Sequence, residues 1–272
     1  MVYIKKNHII IYMNYKNSIL FTFLSTIIIS IFVYKYAFVN NKPHCNNFIT
    51  NVYLYLALSF SFVGCFVHGY NYSLNDSKNV ARLLPEMKVY TQIAPYVLLS
   101  FLVAIGSVIA LAIQPLFSKE GFIKNHIIWL VFLSSISLTL YPYFKSIEYS
   151  LVLQRVLLMT SILFLTMSSL VFVIPEFLSK TYGIALMSFL LALITIIITE
   201  LFLLFTGQYT KKLYTYISYF VIILFSIFIS YDTSRLFQYA KICVNSPNYP
   251  LLSTNLFLDI LNIFVRMMGL SR

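Results

Sequence analysis

What this sequence most lacks is charge: 10% of its 272 residues are Asp, Glu, Lys or Arg, against 60% hydrophobic residues and a mean hydropathy of +0.85. That leaves far too little polar surface to clothe a soluble globule. Acids are the rarer sign, 8 against 19 Lys and Arg. The resulting net charge of +11 is spread over loops and ends with no dense basic run, so nucleic acid is not an expected partner. No CxxC, no HExxH, no phosphate-binding glycine loop and no Ser/His/Asp pattern occurs, so neither an enzyme nor a resident cofactor or metal is expected. Three cysteines stand far apart, Cys45, Cys65 and Cys243. Cys65 falls within an apolar run, and spacing alone leaves a disulfide between Cys45 and Cys243 open.

What is present instead is a series of apolar runs about twenty residues long. Lipid offers no hydrogen-bond partners to the backbone, so only helices and closed barrels span it, and runs of this length without strict alternation are helical. Spans are predicted at 18–38, 48–70, 93–114, 127–145, 151–174, 183–207, 213–237 and 251–268, with Pro95, Pro115 and Pro175 near helix ends. The expected fold class is an all-α polytopic membrane protein: an N-terminal segment 1–47 with one extra hydrophobic helix, then a seven-helix core over 48–272. The first apolar run also suits a signal anchor or a cleaved signal peptide, but no small-x-small cleavage site follows it, which favours an uncleaved helix; Met13 is an alternative start.

Eight crossings put both termini on one side. Ten basic residues then lie with the termini (Lys5, Lys6, Lys16, Lys78, Arg82, Lys88, Lys145, Lys211, Lys212, Arg272) and five opposite (Lys42, Lys119, Lys124, Lys180, Lys241), so both ends are expected to be cytosolic. The sequons at Asn71 and Asn75 would then face the cytosol and stay bare, while Cys45 and Cys243 share the other side. His68, near the end of the second span, reads most simply as an interfacial residue.

The last span is organised differently from the others. Asn255, Asp259, Asn262 and Arg266 recur at spacings of four, three and four, on one face of a helix otherwise made of Leu, Ile, Phe, Val and Met. A carboxylate at a helix centre costs about 2.5–3.5 kcal/mol to insert, so Asp259 must face protein or a water-filled cavity. Asp232, near the end of the preceding span, can meet it at similar depth, because the two antiparallel helices are joined by a short link. Two carboxylates held close in a low-dielectric site cannot both ionise readily, titrate in coupled steps, and when ionised attract cations such as calcium. The bland alternative pairs Asp232 with Arg235 and hydrogen-bonds Asp259 to Asn255 and Asn262, purely to hold helices together. Arg266 reads as a snorkelling interfacial residue rather than a partner of Asp259. Glu200 and Arg155 show no identifiable partner in sequence, and Glu200 is assigned a lining role.

The segments ISYDTSRLFQYAK and NLFLDILNIFVRMMG together resemble the closing signature of the Bax inhibitor family of transmembrane proteins. NVYLYLALSFSFVGC is similar to that family's first core helix, and SLTLYPYF to its Gly-x-Ser-x-Gly-Pro segment, with Thr139 and Tyr141 in place of the glycines; the helix at 93–114 lacks the arginine some bacterial relatives carry. The resemblance implies a seven-helix core with the last helix surrounded, a calcium leak across an internal or plasma membrane, most readily the endoplasmic reticulum or another endomembrane, and suppression of cell death. Asp232 and Asp259 would be the proton-sensing gate, Asn255, Asn262 and Glu200 the pore lining, and Arg235 and Arg266 ion-pair candidates. Expected partners are the calcium ion, the lipid bilayer and apoptosis-regulating or calcium-channel membrane proteins. Two other readings stay open: a non-conducting adaptor that binds such proteins, and an intramembrane aspartyl protease, whose usual Gly-x-Gly-Asp is here Leu-Phe-Leu-Asp.

Overall fold

The structure, a computed structural model, describes residues 2–76, 86–119, 122–145, 151–173, 182–205 and 210–271. Lys78, Arg82, Pro175, Lys180, Arg272 and the sequon residue Ser77 lie outside these residues, as do the side chains of Lys5, Lys6, Lys16, His68, Asn71, Asn75, Lys88 and Lys145.

Among the described residues the chain forms eight helices: α1 (Val2–Ala37), α2 (Phe48–Asp76), α3 (Glu86–Ala112), α4 (Ile123–Lys145), α5 (Leu151–Val173), α6 (Tyr182–Phe205), α7 (Lys211–Ile242) and α8 (Tyr249–Leu270). Seven contain stretches long and apolar enough to cross a membrane, and α6 adds the shorter apolar stretch Leu191–Glu200. The all-α polytopic architecture is thus realised. The outward side chains Ile113, Leu98, Leu165 and Phe202 are the large apolar groups that a lipid-facing surface requires.

The helices run past the predicted spans into polar sequence. Pro95, expected to bound a helix, lies inside α3, which begins at Glu86. A proline costs one backbone hydrogen bond, a loss that helices of membrane proteins absorb through neighbouring groups.

The chain divides into two compact units. The first, Met1–Ser146 with Cys243–Thr254, packs α1 on α2, α2 on α4 and α3 on α4. Ser61 joins α1 to α2 by bonding Ser25 at 3.0 Å and Thr26 at 2.7 Å. Its loops are knitted into a small cap. Strands β1 (Phe38–Val39) and β2 (Lys42–Pro43) form a hairpin whose turn residues Asn40 and Asn41 take φ of 51° and 61°, a left-handed backbone that asparagine tolerates better than most residues. Strand β3 (Phe117–Ser118) pairs with β4 (Ser246–Pro247), and the buried Asn248 donates to the Leu116 and Pro115 carbonyls. A disulfide joins Cys45 to Cys243, the pairing that spacing left open.

The second unit, Ile147–Ile242 with Asn255–Arg272, packs α5 and α6 against α7 and includes the rest of α8. Of the spans, α8 is the most buried, with 61% of its residues inside the protein.

Candidate functional site

The two acids singled out by spacing both belong to the second unit. On α7, small hydroxyl residues bring the helix tight against α5: Ser230 donates to the Met167 carbonyl at 2.8 Å, and Thr233 to the Ser168 hydroxyl at 3.5 Å. These contacts flank Asp232 and fix its height along α7. Asp232 is half-buried. On α8, Asp259 is 7% exposed, and its Oδ2 has no hydrogen-bond partner among the described residues. The two carboxylates are close enough to interact electrostatically. A buried carboxylate oxygen without a donor carries a desolvation cost.

Arg235 is exposed and lies over the rings of Tyr231 and Tyr239, 5.6 and 5.2 Å from their centroids, donating to the Tyr239 hydroxyl. It is also within electrostatic reach of Asp232. Asn262 turns its amide back to the Leu258 carbonyl at 2.8 Å, and Asn255 is exposed. Spacing places all four polar residues of α8 on one face, yet that face grades from exposed Asn255 through buried Asp259 to half-buried Asn262 and Arg266.

Glu200, for which the sequence shows no partner, is paired with Arg266, one of the two ion-pair candidates: the guanidinium donates to both carboxylate oxygens, Nη1 to Oε1 at 2.8 Å and Nη2 to Oε2 at 2.7 Å. The pair joins α6 to α8 with side chains 10% and 17% exposed. The Tyr214 ring lies 5.9 Å from the guanidinium, and Gly269 gives that ring its space, since a Cβ there would overlap the Tyr214 hydroxyl. A fork of two parallel bonds to a carboxylate is the strong form of this interaction, and apolar surroundings leave the charges no better outlet. The pair was legible only as two leftovers of opposite sign, because the two residues stand 66 apart in sequence with no periodicity that would match one to the other.

The first unit holds a polar cluster that pattern reading missed altogether. The Asn51 amide donates to the Tyr36 and Asn46 carbonyls and to the Tyr249 hydroxyl, at 3.1, 2.9 and 3.1 Å; Tyr249 in turn donates to the His44 carbonyl at 2.6 Å. The Tyr55 hydroxyl and His126 Nε2 lie 2.7 Å apart, and the Tyr55 ring stacks on Tyr249 with centroids 5.4 Å apart. Nothing in this cluster carries a full charge of the kind that would steer an ion. It tethers the cap to the starts of α2, α4 and α8.

Fold and site together define a class: a polytopic helical membrane protein whose last two helices carry two acidic side chains within electrostatic reach of each other, Asp259 buried and Asp232 half-buried. The chain belongs to the family described as Inhibitor of apoptosis-promoting Bax1, whose model matches residues 45–271. Membership supports a role in inhibiting apoptosis. The match leaves all of α1 outside it. No curated protein and no solved structure matches the chain.

Proposed function

We propose that the protein is a pH-sensitive calcium leak channel of an internal or plasma membrane, gated by Asp232 and Asp259, and that through this leak it suppresses cell death without catalysing a reaction. The observation that carries the reading is the buried carboxylate oxygen of Asp259, without a donor among the described residues and within electrostatic reach of Asp232. Such a pair attracts a divalent cation when ionised and loses that attraction on protonation, so one site both senses protons and admits the ion. Asn255, Asn262 and Glu200 line the path on this reading. Cytosolic termini follow from the lysine asymmetry, and the Cys45–Cys243 disulfide supports placing the cap in an oxidising compartment, most simply the lumen of the endoplasmic reticulum or another endomembrane.

The test is reconstitution of the purified chain in liposomes with a calcium reporter. Wild-type flux is expected, abolished by Asp259→Asn, and its rate should change between about pH 6 and 8, where a coupled pair of shielded carboxylates can exchange its protons. Flux with a flat profile over that window refutes the proton switch and leaves the channel. Absence of flux at every pH refutes the channel and favours an adaptor acting on apoptosis-regulating or calcium-channel membrane proteins.

A further inference from the structure

We propose that the Glu200–Arg266 pair is a charge selector on the path a cation takes along the polar face of α8, with Glu200 admitting the ion and Arg266 limiting its passage. The proposal deepens the calcium-leak reading and rests on it.

Arg266 lies seven residues beyond Asp259, about 10 Å along the helix at 1.5 Å per residue, on the same face as Asn255, Asp259 and Asn262. It is the one base in that row. A cation leaving Asp259 toward the C-terminal end of α8 therefore meets a guanidinium next. Left uncompensated, a fixed positive charge in apolar surroundings would repel it strongly. The Glu200 carboxylate, contributed by a different helix, neutralises the guanidinium through two bonds of 2.7–2.8 Å. The site thus holds a matched pair whose two charges act on a passing cation with opposite sign. Tyr214 beneath the guanidinium and Gly269 beside the ring hold the fork in one orientation, so the balance does not depend on a mobile side chain.

A latch that merely clamps α6 to α8 makes a different prediction from a selector. If the pair only clamps, removing either partner loosens the same contact and moves the flux in the same direction. A selector gives opposite signs. Arg266→Gln deletes the repelling charge and is expected to raise calcium flux about thirty-fold, the change that a unit charge about 4 Å from a divalent ion produces in water-like surroundings; Glu200→Gln deletes the attracting charge and is expected to lower it by a similar factor.

The experiment measures calcium efflux from liposomes containing the full-length chain, normalised to inserted protein, for wild type, both single variants and the double exchange Glu200→Arg/Arg266→Glu. Opposite shifts in the single variants, with the double exchange returning toward wild type, support the selector. Shifts of the same sign, or none, overturn it while leaving the leak intact. Absence of wild-type flux overturns the leak and the selector with it. Should Arg266→Gln fail to insert, Glu200→Gln decides alone: lowered flux supports the selector, and raised or unchanged flux overturns it.

Discussion

The two units solve the same problem, polar groups in an apolar protein, in opposite ways. In the first, neutral side chains are matched to backbone carbonyls and to one another, as Asn51, Tyr249, Tyr55 and His126 are, and a covalent bond closes the set. The second adds to neutral contacts such as Ser230 with the Met167 carbonyl a set of acids and a base: Asp232, Asp259, Glu200 and Arg266. Neutral groups paired in place hold a shape. Ionisable groups in the same surroundings change energy whenever a proton or an ion arrives. Among the described residues, buried polar atoms without a hydrogen-bond partner occur in both units, Asn51 Oδ1, Asn125 Nδ2 and Trp129 Nε1 in the first and Ser218 Oγ and Asp259 Oδ2 in the second, so the contrast between the units is one of charge.

Three substitutions would break or sharpen that contrast. The largest effect on stability is expected from Arg266→Ala, which strands the Glu200 charge in a nearly buried site; about 3–5 kcal/mol is the usual cost of splitting such a pair, whereas Glu200→Gln with Arg266→Met should recover most of it. Thermal unfolding in detergent, comparing the single with the double variant, reads this directly, and equal losses in both would show that the charges are not the issue. Next comes Cys243→Ser, or reduction of the intact protein. It should cost about 2–5 kcal/mol through loss of the cross-link, lower the unfolding midpoint, and leave the sign of the response to Glu200→Gln unchanged. A reversal of that sign would mean the two regions are not distinct in role. The smallest effect is expected from Tyr55→Phe, about 1 kcal/mol for one hydrogen bond to His126, with the pH profile of calcium flux unmoved. A displaced profile would draw the neutral cluster into the proton response.

Much of this was visible before any coordinates. Long apolar runs with few interruptions located the eight helices to within a few residues over most of their ends, because lipid permits so few alternatives. The polar stripe on α8 was legible for the same reason: Asn, Asp, Asn and Arg at helical spacing stand out from an apolar background. What was not legible depended on partners distant in sequence. Glu200 and Arg266 were each visible as an isolated charge, but their pairing is a fact of packing. The aromatic and amide cluster around Asn51 was invisible because tyrosine, histidine and asparagine near helix ends look like ordinary interfacial residues. Helix ends were misjudged where polar residues continue a helix, as on either side of Pro95, since nothing in local composition marks where a helix leaves the bilayer.

The Cys45–Cys243 bond joins residues 198 apart. At the pace of chain synthesis, about 5–20 residues per second, Cys45 emerges roughly 10–40 seconds before its mate. Through that interval the cap has no staple, and the aspartate-bearing end of the chain is still being made. The order of manufacture therefore brings Asp259 in only with the last helix, and a ribosome that stalls before residue 243 leaves an open thiol at Cys45 for quality control to find.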